Sequence, residues 1–384
     1  PAGSLGDLAM LAGLMQALRA RDADVRFTII GQGNHAIEVP GVGKVPVVAA
    51  WRGIGGTRAF DRLIRAHHGL FVMGADILDG KYGAAQVARI AAYCNHSVRL
   101  GIPATILGFS FSQRPRWPGV RVLSRLHPAV SVHVRDAHSL ARFTRLVGIP
   151  ARLSADCAFL MPAAADPSDM ETETWIAVQR EAGRTPVGIN LGSHALAPAR
   201  RRTDTAQLVE AIAAQLAQAA RQHTLSLLLI PHDFKPESGD VSILRLLEQR
   251  LRAAGLPHVR RVEIRRPDRI KHLAGLLDLV LTGRMHLAIA ALGAGTPVLS
   301  VTYQDKFEGL YQHFGLSLDH TLQAEDCLDA TLAARLDAAL ALRTENRARI
   351  VARLPEVLAL AARNLELRSP GPARHDLSVP RPAE

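Results

Sequence analysis

The chain has 384 residues, a length that is typical of two domains, and hydrophobic residues make up 48% of it, enough to bury a sizeable core. No apolar run is long enough to predict a membrane-spanning helix, and the three widely separated cysteines predict neither a disulfide framework nor a metal site. The formal charge of +11 favours anionic partners, whereas the aromatic content of 4% and the lack of a recognised motif argue against nucleic acid.

The first half of the sequence alternates short apolar strands with helical patterns. Predicted strands cover residues 25–31, 45–50, 69–74, 102–108 and 129–134. Predicted helices cover residues 5–21, 57–67, 81–100 and 136–147. Such alternation is typical of a parallel sheet covered by helices. The first glycine loop has no strand before it, so either a strand precedes this sequence or the sheet begins at Val25.

The alternation stops at about residues 166–184, which places a domain boundary there, and then restarts. Strands are expected at 186–191, 225–230, 259–262, 277–281 and 297–301. Helices are expected at 204–222, 238–254 and 285–292, followed by a helical region at 324–367 that splits near Pro355.

The predicted fold is therefore α/β, with two doubly wound, Rossmann-like domains facing a cleft, as in GT-B-like transferases. We expect an N-terminal domain at 1–168 on the acceptor side and a C-terminal domain at 169–341 with the anion site. C-terminal helices at 342–368 and a disordered tail at 369–384 complete the prediction.

The segment after the strand at 277–281 carries the clearest chemistry. Arg284 and His286 follow Gly283 at the start of a helix, where unpaired N–H groups and the helix dipole attract anions. Arg284 can bind a carboxylate or phosphate through two N–H groups, and His286 can transfer a proton near neutral pH. A solvated arginine and a core histidine are the structural alternative.

This segment resembles the hallmark of the polysaccharide pyruvyl transferase family: a Gly-Arg-X-His turn (283–286), a Gly-X-Pro (295–297) and a Tyr-X-X-Lys-X-X-Gly stretch (303–309). Weaker elements appear in the family's order: Gly6-Asp7, Arg135-Asp136 with Ser139, Asp156 with Ala158-Phe159, and Pro231-His232. The glycine run typical of the family after the third strand is here interrupted by Asp76 and Asp79, which puts the choice of acceptor in doubt.

The resemblance implies transfer of a pyruvyl group from phosphoenolpyruvate to a sugar of a cell-surface polysaccharide or its lipid-linked precursor, with a pyruvate ketal and phosphate as products. It implies that Arg284, Arg135, Lys306 and the N–H groups around Met285 bind the donor without a metal or other cofactor, with Gly6, Asp79 and Tyr303 as further binding residues. His286 is the first candidate for proton donor and His232 the second.

Asp7, Asp76, Asp79 and Asp136 are candidates for the base that accepts a sugar proton, although a helix-start carboxylate explains Asp7 and Asp136 equally well. For Asp156 we favour a structural hinge role. We expect a cytoplasmic protein, with peripheral contact at the inner face of an anionic membrane as an option.

The basic run at 259–272 is interpreted as a solvated face, with membrane binding as the functional alternative. Two other function classes stay open. One is a GT-B-type glycosyltransferase with a sugar-nucleotide donor, and the other is a non-catalytic carbohydrate-binding relative.

Overall fold

The computed structural model describes residues 4–31, 34–49, 55–235, 239–302 and 306–368. In chain order, the strands are β1 Ile29–Gly31, β2 His35–Val39, β3 Gly43–Ala49, β4 Leu70–Val72, β5 Ala104–Phe109, β6 Ser131–Val134, β7 Arg152–Leu153, β8 Thr185–Asn190, β9 Leu225–Leu229, β10 Val259–Arg261, β11 Leu279–Thr282, β12 Val298–Thr302 and β13 Thr321–Gln323.

The α-helices are α1 Leu5–Arg21, α2 Gly55–Arg65, α3 Ala84–Arg99, α4 Trp117–Leu123, α5 Ala137–Val147, α6 Met170–Glu181, α7 Ser193–Leu196, α8 Thr205–Gln222, α9 Val241–Ala253, α10 Pro267–Gly275, α11 Met285–Gly293, α12 Lys306–Phe314, α13 Thr331–Ala341 and α14 Arg343–Ala362. Among the described residues, no helix combines the length and apolar character that crossing a membrane requires.

A six-stranded sheet has the order β10-β9-β8-β11-β12-β13, and its paired strands are all parallel. The four central strands are buried along their length, apart from Thr185 at the start of β8, which explains why they do not alternate apolar and polar residues. The strand order reverses between β8 and β11, where Asn190 and Thr282 are register partners. In open α/β sheets, ligands bind beyond the carboxyl ends of the strands at such a switch point.

A four-stranded parallel sheet has the order β4-β5-β6-β7, and β1, β3 and β2 form a short three-stranded sheet. Phe109, Phe111 and Phe143 pack edge to face in the core beside the four-stranded sheet, with ring centroids 5.3 to 6.3 Å apart. The loops that follow β4, β5 and β6 leave the sheet at one edge, because parallel strands end on the same side.

The contacts divide the chain into two units, and the division differs from the expected boundary near 168. Within the described ranges, the first unit contains 4–28, 36–46 and 154–363, and the second contains 29–35, 47–153 and 364–368. Helix α1 belongs to the first unit because it lies against a 3₁₀ helix, Cys157–Leu160: a Cβ on Gly13 would come within 2.2 Å of the Cys157 carbonyl oxygen. The alternation of strands and helices along the sequence could not predict this long-range contact.

The end of the described chain returns to the second unit. The Asn364 side-chain oxygen accepts a hydrogen bond from the Gly108 amide at 2.7 Å, and the Thr105 hydroxyl donates to the Glu366 carbonyl at 3.1 Å. The expected separate set of C-terminal helices at 342–368 is therefore divided: α14 lies in the first unit and residues 364–368 in the second.

The expected break at Pro355 is wrong, since α14 runs through this residue and the helical region is interrupted at Leu342 instead. A proline inside a helix leaves the carbonyl four residues earlier without its N–H donor. That carbonyl belongs to Val351, which is 55% exposed, so water can take the place of the missing donor. The expected disordered tail at 369–384 lies outside the described residues.

Candidate functional site

Strand β11 ends at Thr282, and α11 begins three residues later, with Arg284 as its N-cap. The Thr282 hydroxyl oxygen accepts a hydrogen bond from the Arg284 amide at 2.9 Å, which fixes the turn between strand and helix. Met285 and His286 are the first two residues of α11, where a helix leaves N–H groups without intrahelical acceptors. The turn therefore carries oriented N–H dipoles at the switch point of the sheet, as the sequence predicted for this segment.

The Arg284 guanidinium, which is 17% exposed, is held by two carboxylates. Its Nε and Nη2 donate to Asp240 Oδ1 at 3.0 and 2.6 Å, and Nη1 lies 3.3 Å from Asp233 Oδ2. Because two donors converge on one carboxylate oxygen, the plane of the guanidinium is fixed before any ligand arrives.

Asp240 is fully buried and connects three loops at this edge of the sheet. Its Oδ2 accepts hydrogen bonds from Asn190 Nδ2 at 2.8 Å and from the amides of His232 and Asp233 at 2.9 and 3.1 Å. A Cβ on Gly192 would come within 2.2 Å of Asp240 Oδ1, so only glycine allows this close approach. The loops after β8 and β9 and the Arg284 turn are thus tied to one carboxylate.

His286 is enclosed between helix α1 and Asp156. A Cβ on Gly6 would lie 2.3 Å from His286 Nδ1, so α1 contacts the ring closely and only glycine fits at position 6. His286 Nε2 is buried, has no hydrogen-bond partner among the described residues, and lies 3.6 Å from Asp156 Oδ2. Asp156 also accepts a hydrogen bond from the Ala158 amide at 2.9 Å as the N-cap of its 3₁₀ helix. Asp156 therefore caps its own 3₁₀ helix and lies close to His286, while its hinge role stays a prediction.

His232 lies beside this pair, because its carbonyl accepts a hydrogen bond from the Leu5 amide at the start of α1. Its side chain is buried, and this burial, with His286 and Arg284 nearby, lowers the pKa of His232 to about 3. The imidazole is therefore neutral at pH 7, so this environment disfavours His232 as a proton donor and leaves His286 as the better candidate.

The charges around Arg284 are nearly balanced. Lys235 Nζ lies 3.8 Å from Asp233 Oδ2, so two cations face the carboxylates of Asp233 and Asp240. The same surroundings affect His194, whose pKa is lowered by desolvation and then by the charge of Arg284. A strongly anionic ligand at Arg284 would therefore need further positive groups.

Lys306 is half-buried at the first position of α12, which follows β12. Since β12 is the parallel neighbour of β11, both helices start from the same edge of the sheet. Asp7 is half-buried in the first turn of α1, a position that suits a helix-start carboxylate. Tyr303 lies outside the described residues.

The second unit brings together other predicted residues at the carboxyl edge of its four-stranded sheet. Arg135 is 4% exposed, and its Nε donates to the Ser110 hydroxyl at 2.8 Å. The Ser110 amide donates to the Ala75 carbonyl at 3.0 Å, so the loops after β4, β5 and β6 meet here. Asp76 is half-buried next to Ala75, whose φ of 43° lies in the left-handed region.

Two carboxylates of the second unit have defined structural roles. Asp79 is buried and accepts a hydrogen bond from the Lys81 amide at 2.9 Å. Asp136 caps α5 by accepting from the amide and the hydroxyl of Ser139 at 2.6 and 2.7 Å. Asp136 therefore has the helix-capping role that was predicted as one of its alternatives. Asp76 is more exposed than Asp79 or Asp136.

Four of the five arginines in the basic run at 259–272 form ion pairs with carboxylates: Arg260–Glu171, Arg261–Glu248, Arg266–Asp268 and Arg269–Asp169. The fifth, Arg265, is exposed. The expected solvated face is therefore found only in part, because one basic residue of the run is buried in α10. Lys271 is 5% exposed and donates to the carbonyls of Phe159 and Met161 at 3.1 and 2.6 Å. Burial lowers the pKa of Lys271 to about 8. The carboxylate partners lie up to 100 residues away in sequence, so composition did not reveal them.

Sequence reasoning missed Asp240 and Asn190 as site residues. Asn190 is the last residue of β8 and Asp240 is the N-cap of α9, and neither belongs to a recognised motif. A weak signal was available for Asn190, because ligand-binding residues concentrate at the carboxyl ends of parallel strands.

The fold is that of a two-unit, Rossmann-like, GT-B-like protein, as predicted, and solved structures share it. A putative UDP-N-acetylglucosamine 2-epimerase from Listeria monocytogenes superposes with a TM-score of 0.58 at 12% identity, covering 96% of both chains. The HepE protein of Anabaena, in complex with UDP and glucose, gives a TM-score of 0.53 at 14% identity, covering 95% of both chains. MnaA of S. aureus, in complex with UDP, gives 0.54 at 12% identity, covering 93% of this chain and 95% of that one.

The family follows from the sequence itself. A family model described as polysaccharide pyruvyl transferase matches residues 5–305, from the first residue of α1 through the Arg284 turn. The chain belongs to the polysaccharide pyruvyl transferase family, a family of transferases, and the resemblance seen in its motifs is thereby confirmed. No protein with a curated description matches the chain.

Proposed function

We propose that this protein transfers the pyruvyl group of phosphoenolpyruvate to two hydroxyls of a sugar in a cell-surface polysaccharide or its lipid-linked precursor. The observation that carries the proposal is the pairing of Arg284 and His286 at the switch point of the six-stranded sheet. There, a guanidinium of fixed orientation and an enclosed imidazole share the first turn of α11.

Arg284 is the proposed anchor for the donor's carboxylate or phosphate. Its Nε and Nη2 are oriented by Asp240, while the longer Nη1 contact to Asp233 is the one that an anionic ligand can replace. The amides of Met285 and His286 would add oriented dipoles. Because the local charges are balanced, Lys306 and Arg135 are proposed as the further cations, and the reaction as proposed uses no cofactor.

His286 is the proposed proton donor to the methylene carbon of phosphoenolpyruvate. Protonation of this carbon makes C2 electrophilic, and a sugar hydroxyl adds to C2 as it loses its own proton to a carboxylate. A second hydroxyl then attacks C2 while the bond from C2 to the phosphate oxygen breaks, and the departing phosphate takes the proton of this hydroxyl as the ketal closes. Asp156 Oδ2 lies 3.6 Å from His286 Nε2, and Gly6 contacts the other ring nitrogen, so the position of the imidazole is set from both sides.

The proposed bases for the hydroxyl proton are Asp7, Asp76, Asp79 and Asp136. Asp76 is the strongest candidate, since it is only half-buried and follows Ala75, whose carbonyl accepts a hydrogen bond from the Ser110 amide, whereas Asp79 and Asp136 accept hydrogen bonds from backbone amides. The proposal also includes peripheral contact with an anionic membrane, on which a lipid-linked acceptor would be carried.

A sugar-nucleotide reaction is the alternative, and the solved structures of similar fold give it some support. HepE and MnaA were each solved with UDP, and their fold covers nearly the whole of this chain. These likenesses are at 12 to 14% identity, however, while the family match spans the Arg284–His286 turn itself. Pyruvyl transfer is therefore the stronger proposal.

Thermal unfolding with and without excess phosphoenolpyruvate tests the donor. A ligand at about 100 times its dissociation constant adds about 2.7 kcal/mol to the free energy of unfolding, which raises the melting temperature measurably. We expect this rise for the parent protein and for Arg269→Ala, and no rise for Arg284→Ala.

Arg269 is a matched control, because its side chain is also 17% exposed and also paired with a buried aspartate, Asp169. If phosphoenolpyruvate leaves the melting temperature unchanged while UDP-N-acetylglucosamine raises it, pyruvyl transfer is wrong and the sugar-nucleotide reaction replaces it. If Arg269→Ala loses the response as well, Arg284 is not the specific anchor.

A further inference from the structure

We infer that the second unit carries a docking surface for an anionic lipid bilayer. The surface, which we call the aromatic–basic patch, consists of the loop after Gly80 and the start of α4: Lys81, Tyr82, Arg114, Arg116, Trp117 and Arg121. This patch gives residues to the membrane contact included in the proposed function, and it does not depend on which donor the protein uses.

The two aromatic side chains of the patch are unusually exposed. Trp117 is 60% and Tyr82 57% exposed, in a chain that has only 3 tryptophans and 4 tyrosines. Large apolar side chains on a protein surface mark interaction sites when they cluster with one another. Both rings have a cation beside them: Arg121 lies 6.0 Å from the Trp117 ring and Lys81 lies 5.9 Å from the Tyr82 ring.

The two segments of the patch are neighbours in the fold. The Arg116 amide donates to the Asp79 carbonyl at 2.7 Å, and a Cβ on Gly80 would lie 3.1 Å from Arg116 Cβ. Helix α3, which follows the Gly80 loop, is linked to the end of α4 by Asn95, whose Nδ2 donates to the Arg125 carbonyl at 3.1 Å. Both aromatic residues therefore belong to one surface on packed elements.

The charge of this region is of one sign. Between Asp79 and Asp136 the sequence has no aspartate or glutamate, and it contains 8 lysines and arginines: Lys81, Arg89, Arg99, Arg114, Arg116, Arg121, Arg125 and Arg135. All four basic residues of the patch are exposed. The basic run at 259–272 differs in this respect, because several of its arginines are paired with carboxylates.

Exposed tryptophan and tyrosine among arginine and lysine suit the boundary between lipid headgroups and acyl chains. The rings are apolar with one polar atom, and the long basic side chains reach phosphate groups while their stems cover apolar surface. Basic residues near an anionic bilayer each add to binding. Trp117 projects from the first position of α4 next to Pro118, a rigid site from which a ring can insert.

Sedimentation of the full chain with phospholipid vesicles tests the inference. We expect binding to vesicles of phosphatidylcholine mixed with phosphatidylglycerol and little binding to phosphatidylcholine alone. The double variant Arg114→Glu, Arg121→Glu should weaken binding by about tenfold or more. Trp117→Ala with Tyr82→Ala should weaken it too, while the melting temperature of each variant stays close to that of the parent because these side chains are exposed.

The matched control is Arg200→Glu with Arg201→Glu, two exposed arginines of the first unit whose reversal changes the net charge equally. Equal loss of binding in this control would show that net charge alone acts and would overturn the inference. So would undiminished binding by the patch variants. Soluble glycerophosphoglycerol should not compete with vesicles, and full competition would identify a small-anion site instead.

Binding of a short DNA duplex, weakened by the patch variants, without binding to anionic vesicles would assign the patch to nucleic acid and overturn the inference. None of these results depends on phosphoenolpyruvate. Failure of the lipid test therefore leaves the donor proposal intact, and failure of the thermal test leaves the lipid surface intact.

Discussion

Arg284 Nη2 donates to Asp240 Oδ1 at 2.6 Å, and the second oxygen of this fully buried carboxylate holds Asn190 and the amides of His232 and Asp233. The arginine that the motif marks is thus oriented by an aspartate that no motif marks. A guanidinium held in this way loses less side-chain freedom when it binds an anion, because its orientation is set during folding.

Asp240→Asn should release Arg284 and weaken the donor site. The amide keeps the shape but places N–H groups either against the guanidinium or against the three N–H donors to Oδ2. We expect a loss of roughly 3 kcal/mol in the free energy of unfolding, as for a broken buried ion pair, together with loss of the melting-temperature rise caused by phosphoenolpyruvate. Asp169→Asn, which breaks the comparable pair with Arg269, should lose stability but keep that rise. A stronger response to phosphoenolpyruvate in Asp240→Asn would instead show that Asp240 competes with the donor.

Gly6→Ala should displace the His286 ring, since the added methyl would lie 2.3 Å from Nδ1. Such overpacking costs roughly 1–3 kcal/mol, measurable by urea denaturation. The same Gly6→Ala change should cost much less when it is made in the His286→Ala variant, in which the ring is absent. Gly275→Ala is the control, because its nearest new contact, 3.3 Å from Ala294 Cβ, is tight but far less severe than the 2.3 Å contact at Gly6. Equal costs in both single variants would contradict a specific contact with His286.

His286→Gln should separate binding from chemistry. Arg284 and its carboxylate partners stay in place, so phosphoenolpyruvate should still raise the melting temperature. Phosphate release from phosphoenolpyruvate, measured with a lipid-linked oligosaccharide extract as acceptor, should fall by about 10²-fold or more, as for a lost general acid. Phosphate release should fall far less in His232→Gln, because the imidazole of His232 is neutral at pH 7. The opposite ranking of the two variants would make His232 the proton donor.

Lys271 should make stability depend on pH above neutrality. Burial lowers the pKa of Lys271 from 10.5 to about 8, so between these values the unfolded chain binds more protons than the folded one. The free energy of unfolding should therefore rise with pH across this window, by up to roughly 3 kcal/mol, and this contribution is absent below pH 8. Urea denaturation across the window should show a smaller rise for Lys271→Met than for the parent. An unchanged rise would assign the pH dependence to other groups.

Much of the architecture follows from local pattern. The apolar runs 225–230 and 277–281 are predicted as strands and form β9 and β11, and the predicted helix at 5–21 forms α1 without a shift at either end. Periodicity and strand–helix alternation depend on neighbours in sequence, and these are sufficient to predict an α/β fold. Helix α10 was not predicted because its charged residues conceal its helical pattern, and β2 was not predicted because it is short.

For the site, the sequence by itself determined the Gly-Arg-X-His turn, and with it the family and the two residues most suited to bind and protonate the donor. Only the tertiary structure decided that Asp240 orients Arg284, that Gly6 and Asp156 enclose His286, and that most of the arginines at 259–272 are paired while Trp117 and Tyr82 are exposed. The physical reason is range: a turn is specified by adjacent residues, whereas burial and ion pairing are set by side chains that meet only after folding.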